Sequence, residues 1–140
     1  MKYKYSSAIP ADPNKTWVKR PILQIEIFGP KESKKFYALI DSGADCSLFN
    51  IQVARVLGFD LSKAKKSSVV GIESAEPIFT YLFENVETKI EGFDKKIKIP
   101  VNFIDSESVS LLLGEEGFFD QCRIKFEKDH DAFEINPVKN

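Results

Sequence analysis

The chain has 140 residues, 43% of them hydrophobic, which is the size of one ordinary domain and enough to bury a real core. Twenty basic against 21 acidic side chains leave a net charge of −1, so no broad cationic surface argues for nucleic acid or an anionic membrane as a partner. No run approaches the ~20 apolar residues of a spanning helix, and the first 20 residues lack the apolar stretch of a signal peptide.

Cys46 and Cys122 form neither a Cys-x-x-Cys pair nor a disulfide framework, which points to a reducing, cytoplasmic setting. The single histidine, His130, lies in the polar stretch Glu-Lys-Asp-His-Asp. A metal cluster or a histidine-activated nucleophile therefore lacks its usual imidazole neighbourhood, and His130 reads as an exposed side chain.

In chain order, residues 1–20 carry Pro10, Pro13 and small polar residues and read as an irregular N-terminal arm to one domain covering 1–140, ordered on a partner. Residues 20–28 alternate through Leu23, Ile25 and Ile27, the pattern of a half-buried strand, and Gly29-Pro30 turns it. Residues 36–40 are a short apolar run read as a buried strand, paired with the first as a hairpin and ending at Asp41. From Asn50, Ile51, Val53, Ala54, Leu57 and Phe59 fall near helical spacing, with Gly58 as the stop. The rest is strand-like: residues 67–72, 77–90, 95–104, 108–114, 123–127 and 132–137. Residues 115–122, Glu-Glu-Gly-Phe-Phe-Asp-Gln-Cys, read as a second helix with Phe118 and Phe119 turned inward. The expectation is an all-β fold with one or two short helices.

The stretch Ala-Leu-Ile-Asp-Ser-Gly-Ala at 38–44 ends a strand on residues that favour turns, so Asp41 is either a turn residue or a carboxylate delivered to a site. In apolar surroundings burial disfavours the charged form of a carboxylate. Two such groups about 3 Å apart cannot both ionise, so one keeps a proton while the other stays charged. The pair can hold a water, the charged member taking its proton as it attacks a carbonyl and the neutral member donating to the developing oxyanion. One chain supplies one such aspartate, so the second has to come from another copy.

The segment 38–47 resembles the active-site segment of the retropepsin-like aspartic proteases. Asp41, Ser42, Gly43, Ala44 and Ser47 fill the pattern Asp-Ser/Thr-Gly-Ala followed by Ser or Thr three positions on. Leu-Leu-Leu-Gly at 111–114, roughly 70 residues downstream and followed by the second helix candidate, is similar to the family's apolar-apolar-Gly motif. The resemblance covers residues 22–126 and implies a closed β-barrel with a ψ-loop and a flap hairpin. It also implies a homodimer acting as an endopeptidase on extended polypeptides, with no cofactor, no metal, no nucleic acid and no membrane partner.

Carried across by residue, Asp41 is the catalytic carboxylate, paired with Asp41 of a second copy. Ser42 resembles the position whose hydroxyl bonds across the dimer, and Gly43 one that lets backbone approach the substrate chain. Asp45 resembles a position that holds substrate main chain, with capping of the following segment as the alternative. Residues 67–81 are the flap candidate, which would put Gly71 and Ile72 on the substrate. Where family flaps run Gly-Ile-Gly-Gly, this chain has Gly71-Ile72-Glu73-Ser74, which leaves a stiffer or differently turned tip. That departure keeps open a second reading, a dimerisation or peptide-binding module of this fold without effective catalysis.

In pepsin-type relatives the residue at the position of Ala44 is often Ser or Thr, whose hydroxyl stabilises the charged carboxylate, and alanine removes that donor. The expected outcome is an activity optimum less acidic than a pepsin's, and a pH–rate profile peaking near about pH 2 contradicts it.

Overall fold

The computed structural model describes residues 1–8, 14, 18–70, 76–106 and 108–138. The chain opens with three short strands, β1 (Lys2–Lys4), β2 (Ser6–Ala8) and β3 (Val18–Arg20). Next, β4 (Ile22–Phe28) and β5 (Ser33–Ile40) form the expected antiparallel hairpin, and the alternation of β4 buries Leu23, Ile25 and Ile27. β6 (Ser47–Asn50) runs directly into α1 (Ile51–Leu57). Asn50 caps that helix by accepting the Gln52 N–H at 2.9 Å, and Gly58 ends it in the left-handed region at φ 84°. β7 (Lys65–Val70), β8 (Pro77–Ile90), β9 (Ile97–Ile104), β10 (Leu111–Leu113), β11 (Cys122–Glu127) and β12 (Ala132–Pro137) complete the order.

The strands β4-β5-β10-β6-β9-β8 are hydrogen-bonded in that sequence, and β8 pairs back to β4 from Ile25↔Ile90 to Phe28↔Glu87, which closes a six-strand barrel. One strand serves three neighbours, β9, β7 and β4, because β8 is long and bends. Its register against β9 shifts between Phe83 and Val86, a bulge with Glu84 and Asn85 exposed, beyond which it turns toward β4. The first half of β8 pairs with β7 as a hairpin stem, Lys65↔Leu82 to Val70↔Pro77. Its tip, with the expected substrate residues Gly71 and Ile72 and the unusual Glu73-Ser74, lies outside the described residues.

Closure turns one side of every barrel strand inward. Phe49, Val101, Phe103, Leu113, Ile40 and Ala38 are buried there, and the rings of Phe59, Phe83 and Phe49 stand 5.2–6.1 Å from that of Phe103. Offset and edge-on aromatic packing of this kind adds to the burial of area. Phe118 and Cys122, from beyond the barrel strands, belong to the same core.

Two expectations for the ends of the chain are corrected. The first 20 residues are not simply irregular: β1 pairs with β12, with Tyr3 opposite Phe133, and β2 pairs with β3. Tyr3 stacks on Phe133 at 5.3 Å and Tyr5 meets it edge-on at 5.8 Å, and the Tyr3 hydroxyl donates to the Glu91 carbonyl. Short polar sequence hid β1 because its pairing partner is more than a hundred residues away. The second helix is kinked, not continuous: Glu115–Phe119 is interrupted by extended Glu116 at ψ 122° and by Gly117 at φ 83°, and helical residues run on through Gln121. A left-handed residue interrupts helical hydrogen bonding, so Phe118 is buried as expected while Phe119 is half-buried against the core.

Phe103→Ala removes the ring at the centre of the aromatic cluster. It is expected to lower stability by about 3–5 kcal/mol in urea unfolding, and a loss near zero shows that the cluster does not hold the barrel.

Candidate active site

The loop 41–46 hangs between β5 and β6, and β10 is inserted between those two strands. β10 runs parallel to β5, Leu113 opposite Ile40, and antiparallel to β6, Leu111 opposite Phe49. This is the ψ arrangement, and it carries strand pairing past the end of β5: the Asp41 N–H donates to the Leu113 carbonyl at 2.9 Å. The Ala44 N–H closes a turn on the Asp41 carbonyl at 3.2 Å. The Gly43 N–H donates to Asp41 Oδ1 at 2.9 Å, so the loop itself orients the carboxylate. A Cβ on Gly43 would sit 3.2 Å from that same oxygen, a tight approach that glycine avoids.

The chain leaving β10 straps the loop from the other side. The Gly114 N–H donates to the buried Ser47 Oγ at 3.1 Å, the Glu115 N–H to the Ala44 carbonyl at 2.8 Å, and the Glu116 N–H to the Asp45 carbonyl at 2.9 Å. Gly114 has no room for a side chain, since a Cβ would fall 2.3 Å from the Cys46 carbonyl oxygen and 2.7 Å from that of Ala44. The two motifs read in the sequence are thus hydrogen-bonded to each other. The polar residue three positions after the alanine has a local task, to satisfy a buried backbone donor.

Of the residues singled out in the sequence, Asp41, Ser42, Gly43 and Ala44 share this loop and Asp45 stands at its far end. Asp41 and Ala44 are half-buried, while Ser42, Gly43 and Asp45 are exposed. Asp45 makes no ion pair among the described residues. His130 is exposed, 3.3 Å from Asp129. Among the described residues no group of three or more His, Cys, Asp and Glu side chains is placed to hold a metal ion.

Sequence reasoning named Cys46, Leu48, Ile72 and residues 101–104 as pocket walls but missed Leu39, Leu112 and Leu82, which share the outer face of the barrel beside Asp41. Leu39, Leu112, Leu48, Asn102 and Leu82 are register neighbours across five adjacent strands, and each is half-buried while the residues flanking it in β5, β10, β6 and β9 face the core. Leu39 precedes Asp41 by two positions, so this row runs away from the carboxylate along the same face. Continuous runs such as Leu-Leu-Leu do not say which leucine points outward, and only the register does. Within β9 the alternation is clear: Val101 and Phe103 are core, Asn102 and Ile104 face out.

The two thiols differ. Both are free, but Cys122 is 4% exposed and burial pushes its pKa up to about 11, whereas Cys46 is half-buried beside the loop, its Sγ accepting from Asn102 Nδ2 at 3.4 Å. Cys122 therefore stays protonated and inert at neutral pH.

A closed six-strand barrel with a ψ-loop presenting Asp-Ser-Gly-Ala defines the retropepsin-like fold. Solved structures with this fold match most of the chain. The retroviral protease-like domain of Ddi1 from Leishmania major has a TM-score of 0.57 at 16% identity, covering 84% of this chain and 90% of its own. A retropepsin-like aspartic protease from Rickettsia conorii has a TM-score of 0.55 at 20% identity, covering 82% of this chain and 89% of its own. At such identities the likeness is one of fold. No protein-family model and no curated protein matches the sequence.

Ser47→Ala orphans the buried Gly114 N–H and is expected to cost about 1–3 kcal/mol in chemical unfolding. Gly114→Ala, which drives a Cβ into two carbonyls, is expected to cost at least as much, and a neutral result for both shows that the strap does not fix the loop.

Proposed function

We propose that the chain is one retropepsin-like domain over residues 1–140 and acts as an aspartic endopeptidase on extended polypeptides, with the active centre formed by two copies. The supporting observation is the half-buried Asp41 carboxylate held by the Gly43 N–H on a loop that is itself pinned from both sides. Ser42 and Gly43 are exposed, which leaves the loop open to the same loop of a second copy. In the dimer, the two Asp41 carboxylates share one proton and hold a water between them. The charged member takes a proton from the water as its oxygen attacks the scissile carbonyl, and the neutral member gives its proton to the oxyanion. Neither metal nor covalent intermediate is required.

The substrate lies as an added strand between the loop and the β7–β8 hairpin, its main chain held near Gly43 and Asp45 and, on the flap side, near Gly71 and Ile72. The outward leucines beside Asp41 supply apolar subsite walls. The free thiols suit a cytoplasmic setting. A second reading, a peptide-binding or dimerisation module without catalysis, is supported by the departures from the family pattern after Gly114, where the helix is kinked.

Asp41→Asn is expected to cut hydrolysis of an unfolded protein substrate by at least ~10²-fold while sedimentation shows the dimer intact. Equal cleavage by both proteins, no cleavage by either across a broad pH range, or a strictly monomeric chain at micromolar concentration sinks the peptidase reading.

A further inference from the structure

We propose that Asn102 selects a side-chain amide, Asn or Gln, at one flanking position of the substrate; this rests on the reading of the Asp41 loop as the peptide-binding floor. Asn102 is the one polar member of the outward row, between Leu48 on β6 and Leu82 on β8, with Leu112 and Leu39 beyond. A branched aliphatic residue would complete the row and pack without loss. An amide in apolar surroundings is unfavourable unless it is hydrogen-bonded. Inside the protein it obtains little: Nδ2 donates to Cys46 Sγ at 3.4 Å, a weak acceptor, and Oδ1 has no hydrogen bond among the described residues.

The unused capacity is therefore the whole carbonyl oxygen and one further N–H, side by side on a half-buried face. A second primary amide matches both at once, donating to Oδ1 and accepting from Nδ2. A hydroxyl matches less of this, and an ammonium or guanidinium would bring a charge against leucines with no carboxylate in the row. Asn102 lies three strand spacings from Leu39, roughly 14 Å, so an extended chain lying along this face brings the selected side chain within about four residues of the bond at Asp41. Because the site is half open to water, the preference is modest, about tenfold over leucine, well below that of a fully enclosed polar pocket.

The test uses the full chain carrying Asp41→Asn, which holds peptides without turning them over. Extended octapeptides with Asn, Gln, Leu or Lys scanned through each position are measured by fluorescence polarisation, and the same peptides are offered to the Asp41-intact protein for cleavage. The expected result is one position where Asn and Gln bind about tenfold tighter than Leu, with the order reversed when Asn102→Leu is added. Asn102→Asp, close in size and acceptor-only, is expected to move that position's preference to Lys, and it carries the test if the leucine variant does not fold. Binding that never distinguishes amide from aliphatic side chains, or an amide preference that survives both substitutions, overturns the proposal. Amide-selective binding without cleavage leaves the subsite standing and removes the peptidase reading, whereas cleavage without amide selection does the reverse. Neither binding nor cleavage removes both.

Discussion

Everything near Asp41 depends on β10 entering the gap between β5 and β6. A strand that ends in a loop normally leaves its last backbone groups to water or to the loop, but here Leu113 receives the Asp41 N–H and extends the ladder one residue beyond the strand. The insertion is possible because Gly114 lets the chain leave β10 hard against the carbonyls of Ala44 and Cys46, and because Ser47 accepts the N–H this close passage would otherwise bury unpaired. Gly43, Ser47 and Gly114 together make a rigid floor from which one carboxylate projects.

The barrel explains why that floor has a usable surface beside it. Closing six strands sends alternate residues inward, so phenylalanines fill the interior and their neighbours are left on the outside. On β5, β10, β6 and β8 those neighbours include leucines, and on β9 they include Asn102. The bulge in β8 is what allows one strand to complete the barrel and also form one arm of the hairpin stem with β7. Floor, wall and stem are three results of a single sheet curling on itself.

Much of this was legible in the sequence where the signal is local. The alternation of Leu23, Ile25 and Ile27, the Asn50 and Gly58 ends of α1, and the Asp-Ser-Gly-Ala segment with Leu-Leu-Leu-Gly downstream each rest on residues close together in the chain. What was not legible required distant partners. Lys2–Lys4 becomes a strand only because Ala132 to Glu134 lies beside it, and Glu115–Phe119 fails as a continuous helix because Gly117 turns left-handed against Pro100, into whose ring a Cβ would run. The side on which Leu39, Leu48 and Leu112 point is a matter of register, which composition does not carry. The glycine-poor hairpin tip at 71–75 lies outside the described residues, so its Glu73 and Ser74 keep the standing they had in the sequence.

The order of strands also fixes when the site can exist. During synthesis, residues 38–47 leave the ribosome long before 111–116, yet the loop has no partner for the Asp41 N–H and no strap over Ala44 and Asp45 until that later segment arrives. β1 waits longer still, because its neighbour β12 (Ala132–Pro137) is made later than 111–116. Contacts so distant in sequence close only after most of the chain is in place. A nascent chain therefore carries its acidic residue on an unfinished sheet, and the pinned carboxylate comes into being only once residues 111–116 have followed it out.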